Sequence, residues 1–229
     1  MIISVIIPTF NEEKTIVEIL KKVKKQNKDD INLEVIVVDD CSTDNSNELL
    51  KQNSNLYTKL IELDQNLGKG GAIKEGLLNA TGEYILFQDA DLEYDPKDFN
   101  KIFKVINKFE PDLVIGSRFL SPEYTVVNYF FHKMGNKVIT FLFNLLYNST
   151  FTDIYSCYLC YKRELINPSL LKSMGWSQQA EILGTIVKSS SVHYEVPISY
   201  SGRTFEDGKK IKARHTLGVI WMIIKKRLF

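Results

Sequence analysis

Cysteine and histidine are scarce in this chain, with three of each in 229 residues. So few thiols, odd in number, cannot make a disulfide framework and fit a reducing compartment. Cys157 and Cys160 form one CxxC pair, but a zinc site needs more ligands than Cys41 and three scattered His can supply. Two small half-buried side chains are the expected reading of that pair. A charge of one sign is also missing, because 29 Lys and Arg stand against 28 Asp and Glu. A protein gripping nucleic acid by its phosphates would carry a basic excess, so no nucleic-acid partner is expected. No stretch reaches the ~18 apolar residues of a membrane span. The opening run, residues 2–7, is too short for a signal peptide, has no basic leader and stops at Pro8. The expected location is the cytoplasm, with peripheral contact on the cytoplasmic face of a membrane left open. Two nucleotide signatures are absent as well. The first apolar run leads into Pro8-Thr9-Phe10-Asn11 rather than GxGxxG, which counts against a nicotinamide-dependent dehydrogenase. Gly68-Lys69-Gly70-Gly71 lacks the Gly-Lys-Ser/Thr ending of a Walker loop.

What is present is an alternation of short β-rich runs and helical patterns. Residues 2–7, 34–38, 59–63, 84–87 and 112–115 read as strands, the second almost continuously apolar. Between them, Ile16, Ile19, Leu20 and Val23 recur at helical spacing. Ser42 or Thr43 could cap a helix running to about residue 52. Further helices are expected over 70–79 and 98–109. This pace predicts an α/β chain with a doubly wound, mostly parallel sheet and helices on both faces. After Arg118 the texture changes: residues 126–147 are apolar and aromatic, 178–188 read as a helix and 193–196 as a strand. A basic loop over 201–214 then leads to a final apolar stretch, 217–224. With no repeat or linker, residues 1–229 are expected to form a single domain.

In such sheets, ligands bind outside the carboxyl ends of the strands. Thr9, Asn11 and Glu12 follow the first strand, Asp39 and Asp40 the second, Asp89 and Asp91 the fourth. Two carboxylates at DxD spacing can hold a divalent cation that bridges a diphosphate; the alternative is a cap on the following turn. Asp39 or Asp40 could accept hydrogen bonds from a nucleobase or ribose, or else begin an Asx turn. The Gly68–Gly71 loop would let backbone approach a ligand, with Lys69 as a phosphate or base contact.

Five segments occur in a telling order: 6–13 (Ile-Ile-Pro-Thr-Phe-Asn-Glu-Glu), 37–44 (Val-Val-Asp-Asp-Cys-Ser-Thr-Asp), Asn66-Leu67-Gly68-Lys69-Gly70, Gln88-Asp89-Ala90-Asp91-Leu92-Glu93 and Gly116-Ser117-Arg118. Together they closely resemble family two inverting glycosyltransferases, in the branch with dolichol-phosphate mannosyltransferase and bacterial polyprenyl-phosphate sugar transferases. Thr152-Asp153 and residues 197–210 look like that branch too, so the resemblance covers nearly the whole chain. It implies a GT-A fold with an amphipathic C-terminal region, a nucleotide-sugar-binding half over 1–118 and an acceptor-binding half over 119–229. It implies single displacement with inversion, from a UDP- or GDP-sugar to a polyprenyl or dolichyl phosphate. The alternative acceptor is a hydroxyl of a cell-surface glycan or glycolipid.

Carried over by position, Pro8, Thr9, Phe10, Glu12 and one or both of Asp39 and Asp40 would hold the nucleoside. Lys69, Gly70, Asp89, Ala90 and Arg118 would complete the nucleotide-sugar site. Asp89, Asp91 and Glu93 would bind Mg²⁺ or Mn²⁺, and Arg118, Arg203 and Lys209 would meet phosphates. A hydroxyl acceptor would need a general base, for which Asp153 comes first and Glu181 second; a lipid phosphate arrives ionised. Three departures from the family pattern stand out: Cys41 stands where Gly is common, Tyr155-Ser156-Cys157-Tyr158 replaces a Ser-Gly-Phe-like run, and His215 sits where Asp is common. Residues 138–147, and 217–224 followed by Lys225-Lys226-Arg227, read as interfacial helices on anionic lipid. The alternative is that both stretches pack against the main domain or against a second subunit, giving a homo-oligomer.

Overall fold

Strand β1 (Ile2–Thr9) is apolar on both faces, and Ile3, Val5, Ile6 and Ile7 are fully buried. That pattern requires neighbours on both edges and helices on both sides. The computed structural model describes residues 1–120, 130–202 and 215–228. In it β1 lies between β2 (Asn32–Asp39) and β4 (Tyr84–Phe87), parallel to each, and β3 (Lys59–Glu62) continues the parallel set outside β2. Beyond β4 come β6 (Leu159–Lys162), β5 (Leu113–Ser117) and β7 (His193–Pro197), so the sheet order is β3-β2-β1-β4-β6-β5-β7. Strand β6 runs antiparallel to both neighbours, whereas β7 is parallel to β5. The expected doubly wound, mostly parallel sheet is therefore present, with one reversed strand the sequence did not announce. Its four residues, Leu-Cys-Tyr-Lys, are too few to display a strand period. Through β6 and β7, the stretch after residue 118 joins the same sheet as the first half.

The helices are α1 (Ile16–Lys24), α2 (Ser46–Gln52), α3 (Lys69–Leu78), α4 (Phe99–Phe109), α5 (Phe130–Tyr147), α6 (Gln178–Ser189) and α7 (His215–Leu228). The spacing read from sequence is the spacing that packs: α1 buries Ile16, Ile19, Leu20 and Val23. Helix α4 buries Phe99, Ile102, Phe103 and Ile106. Helix α2 starts later than expected, and neither Ser42 nor Thr43 caps it. Ser42 instead donates its hydroxyl to Asp39 Oδ1 at 2.5 Å, and Thr43 donates its backbone N–H to Asn11 Oδ1. Cys157 and Cys160 form no disulfide and are buried rather than half-buried. Among the described residues, no helix is long and apolar enough to cross a membrane.

The functional crevice arises where β1 outruns β4. Register pairs Ile6 with Phe87, the last residue of β4, while β1 stays paired with β2 as far as Thr9 and Asp39. Ile2 and Ile6 offer their carbonyls to Glu83 and Gln88 on the β4 side. Pro8, two residues on, turns the same way, so its missing N–H falls past the end of the β4 ladder, where no bond is lost.

Candidate active site

The split between β1 and β4 opens a cavity of about 320 Å³ at the carboxyl ends of the strands. One wall comes from Pro8, Thr9, Phe10 and Glu12, and another from Asp40. Asn66, Gly68 and Lys69 add the start of α3, and Asp89, Ala90, Asp91 and Glu93 add the segment after β4. Gly175, Trp176 and Tyr200 close it from the second half of the chain.

The first two walls are tied loop to loop. The Asn11 N–H donates to Ser42 Oγ at 3.0 Å, the Glu12 N–H donates to Ser46 Oγ at 2.8 Å, and Thr43 reaches Asn11 Oδ1 at 2.8 Å. This lock needs left-handed backbone on both sides, at Asn11 (φ 52°) and Cys41 (φ 60°). Asparagine tolerates that region; cysteine adopts it at a cost that glycine would avoid. The two adjacent aspartates face differently. Asp39 is taken up by Ser42 and by Asn47 Nδ2 at 2.9 Å, and does not line the cavity. Asp40 lines it, accepting the Leu67 N–H at 2.7 Å. Burial, reinforced by the charge of Asp39, raises the Asp40 pKa.

The glycine loop serves the chain's own packing more than an open approach to a ligand. A Cβ on Gly70 would lie 2.6 Å from the Ser173 carbonyl oxygen and the Met174 carbonyl carbon. The Gly71 N–H donates to Met174 O at 3.1 Å. Gly70 thus lets the 173–174 backbone press on α3, and that segment carries Gly175 and Trp176 into the cavity. Lys69 does reach the site: its ammonium pairs with Asp89 Oδ1 at 2.5 Å and lies 5.4 Å from the Trp176 ring centre. Burial opposes that charge, but the acidic groups around it, Asp89 foremost, together raise the Lys69 pKa and keep it protonated.

Behind Asp89, the buried Gln88 donates to the Asp89 carbonyl at 3.0 Å and accepts the Tyr158 hydroxyl at 2.9 Å. Asp91 Oδ1 accepts the Glu93 N–H at 3.1 Å, and Glu93 Oε2 accepts the Tyr200 hydroxyl at 3.0 Å. Among the described residues, no three His, Cys, Asp or Glu side chains gather into a cage for a metal. Hard carboxylate oxygens on Asp89 and Asp91 nevertheless fit an Mg²⁺ or Mn²⁺ ion, since such ions take one or two carboxylates and complete their shell with substrate phosphates and water. Asp89 already binds a cation here, the Lys69 ammonium.

Residues 4–168 match the model described as glycosyl transferase family 2. The chain belongs to this family. Over 129 residues it is 36% identical to a dolichyl-phosphate beta-glucosyltransferase of Dictyostelium discoideum, covering 51% of this chain and 39% of that one. Over 212 residues it is 28% identical to the undecaprenyl-phosphate 4-deoxy-4-formamido-L-arabinose transferase of Proteus mirabilis (strain HI4320), covering 90% and 62%. The family-2 chain thus spans less than two thirds of the length of these curated relatives. The glucosyl-3-phosphoglycerate synthase of Mycobacterium tuberculosis, solved with Mn²⁺, uridine diphosphate and phosphoglyceric acid, shares its GT-A-like fold. The TM-score is 0.73 at 20% identity over 98% of this chain and 78% of that one.

The two acidic residues carried over as bases lie elsewhere in this family-2 chain. Asp153 is fully buried, and its carboxylate holds Arg118 through Nε–Oδ2 (2.6 Å) and Nη2–Oδ1 (2.9 Å). Glu181, also buried, accepts the N–H groups of Lys172 (3.1 Å) and Ser173 (2.8 Å) and pairs with Lys226 at 3.5 Å. Neither lines the cavity. Arg118 does not line it either; its guanidinium carbon lies 5.2 Å from the Tyr200 ring centre, behind the wall. Arg203 and Lys209 lie outside the described residues.

Sequence reasoning missed Trp176, Tyr200 and Glu195. Glu195, on β7, accepts the Thr152 N–H at 2.9 Å and the Asp153 N–H at 3.3 Å, and so fixes the loop that presents Asp153 to Arg118. Trp176 is one of only two tryptophans and follows a glycine, a signal that could have been weighed. Tyr200 carried no such mark.

Proposed function

We propose that this chain is a metal-dependent inverting glycosyltransferase that moves a sugar from a UDP- or GDP-sugar to a polyprenyl phosphate. The observation that carries this reading is the meeting of Asp40, Lys69, Asp89 and Asp91 around one cavity at the strand ends of a family-2 chain. Asp40 would accept from the nucleoside, with Pro8 and Phe10 packing beside it. Asp89 and Asp91 would hold Mg²⁺ or Mn²⁺, with Glu93 steadied nearby by Tyr200. Such an ion supplies positive charge against the leaving diphosphate. Lys69, the first residue of α3, adds a second positive group beside it. Arg118, Arg203 and Lys209 are proposed phosphate contacts, Arg118 after a movement of Tyr200.

The choice of acceptor follows from proton bookkeeping. A hydroxyl must lose a proton to a nearby base, whereas a phosphate monoester arrives ionised. Asp153 and Glu181 are both engaged by internal partners, which suits the ionised acceptor. The names of the Dictyostelium and Proteus relatives, both acting on polyprenyl-type phosphates, favour the same choice. A lipid acceptor also gives a use to the exposed side chains of Phe130, Met134, Val138, Phe141 and Leu145 on α5 and of Leu217, Trp221 and Leu228 on α7. Neither helix contains an acidic residue, and α7 ends in Lys225, Lys226 and Arg227. Both features favour an anionic membrane surface.

Incubation with radiolabelled UDP- and GDP-sugars, a polyprenyl phosphate and Mn²⁺ tests the proposal. A lipid-linked product released by mild acid is expected, and Asp91→Ala should abolish it. Label found only in an acid-stable glycan or glycolipid would move the acceptor to a hydroxyl.

A further inference from the structure

Lys69 and Asp89 are the one pair of opposite charges among the described cavity-lining residues that is joined directly, ammonium to carboxylate oxygen, at 2.5 Å. Both side chains remain partly open to the cavity, at 26% and 22% exposure, so neither is locked in by packing. Lys69 is the first residue of α3 and follows Gly68, whose left-handed φ of 77° turns the chain there. Its stem is long and flexible, and the ammonium lies beside the Trp176 ring while it is paired with Asp89. Asp89 is thus held by a cation on a flexible stem.

We propose that Lys69 couples the binding of diphosphate to the binding of metal by holding Asp89 until a diphosphate draws its ammonium away. This rests on the metal reading of Asp89 and Asp91 given above. A divalent ion arriving alone must displace the ammonium from Asp89, and so binds weakly. A nucleoside diphosphate offers the ammonium a better anion, which frees Asp89 for the ion. Coupling of this kind is reciprocal: each ligand strengthens the other by the same factor. No covalent bond forms or breaks in the step.

Calorimetric titration of Mn²⁺ and UDP, separately and together, reads the coupling without any need for turnover. Wild-type protein should bind Mn²⁺ weakly alone and at least about tenfold more tightly with UDP present. Lys69→Met should tighten Mn²⁺ binding without nucleotide by about tenfold and reduce the enhancement by UDP by a similar factor. Some enhancement remains, because metal and phosphate also attract directly. Lys69→Arg, which keeps a cation on Asp89, should behave as wild type. Lys74→Met removes a charge from the same helix but not from Asp89, and should leave Mn²⁺ affinity within about twofold, separating the ion pair from the general field. If wild-type protein binds no Mn²⁺ even with UDP, the metal reading fails and takes the coupling with it. If Mn²⁺ binds with UDP but Lys69→Met leaves the affinity for Mn²⁺ alone unchanged, the metal reading stands and the coupling is overturned.

Discussion

Arg118 and Asp153 meet fork to fork, two nitrogens on two oxygens, with the carboxylate wholly inside the protein. The Arg118 backbone N–H adds a third bond to the same carboxylate at 3.1 Å. The pair props the face of Tyr200, whose hydroxyl holds Glu93 at the cavity. Asp153 thus connects to the cavity wall through other side chains. Removing one partner of such a buried pair strands the other charge and typically costs about 3–5 kcal/mol. Asp153→Ala should lose stability on that scale in urea unfolding, and pairing Asp153→Leu with Arg118→Met should recover much of it. An Asp153→Asn protein of native stability but without activity would restore the carboxylate to the role of base.

Cys41 offers a gain where most substitutions bring a loss. Its left-handed backbone costs a side chain with a Cβ roughly 1–2 kcal/mol. Glycine would remove that strain and give back roughly 0.5–1 kcal/mol through its freer unfolded chain. Cys41→Gly should therefore stabilise the protein by about 0.5–1 kcal/mol, seen as a raised midpoint in thermal unfolding. A lowered midpoint would mean that the thiol, 3.8 Å from the Asp64 carbonyl oxygen, contributes more than the backbone loses.

The sheet was legible because its central strands β1 and β4 are apolar on both faces and polar residues fall at the strand ends; Asp40 and Asp89 face one cavity. The reversed β6 was not legible, being four residues long and defined by partners in β4 and β5 rather than by its own pattern. The partners of Asp153 were hidden for a related reason. Arg118 lies 35 residues earlier and Glu195 42 residues later, so only the fold brings the three together. Cys41 is a mixed case: that it stands where Gly is common was visible in the sequence, but its left-handed backbone shows only in the fold.

Asp40 combines a cost to the fold with a use in the site. Burial raises its folded pKa above the unfolded value, so the folded state holds this proton more readily. The resulting contribution favours folding below the unfolded pKa of about 4 and is lost as pH rises through the folded pKa. Asp40→Asn removes the buried charge, and its amide oxygen can still accept the Leu67 N–H. The variant should be more stable than wild type at pH 7, and the difference should shrink as pH falls toward 4. UDP affinity should weaken in the same variant if Asp40 meets the nucleoside. A stability difference that does not vary with pH would show that the carboxyl titrates alike folded and unfolded.

Membrane contact can be tested on side chains that the fold does not use. Phe141 is 69% exposed on α5 and Trp221 62% exposed on α7, so changing either leaves the core intact. Exposed positions of this kind usually shift stability by no more than about 0.5 kcal/mol. Burying a phenylalanine side chain away from water is worth about 1.5–3 kcal/mol, or roughly tenfold to a hundredfold in partitioning. Phe141→Glu loses that gain and puts an acid where neither helix carries one. Wild-type protein should co-sediment with vesicles containing anionic lipid, less so as salt rises, because Lys225, Lys226 and Arg227 act through a screened field. Phe141→Glu should bind at least about tenfold more weakly while unfolding at the same temperature. Wild-type protein left wholly in the supernatant would defeat the membrane reading, and a fall in sedimentation velocity on dilution would assign the apolar stripe to a second copy of the chain.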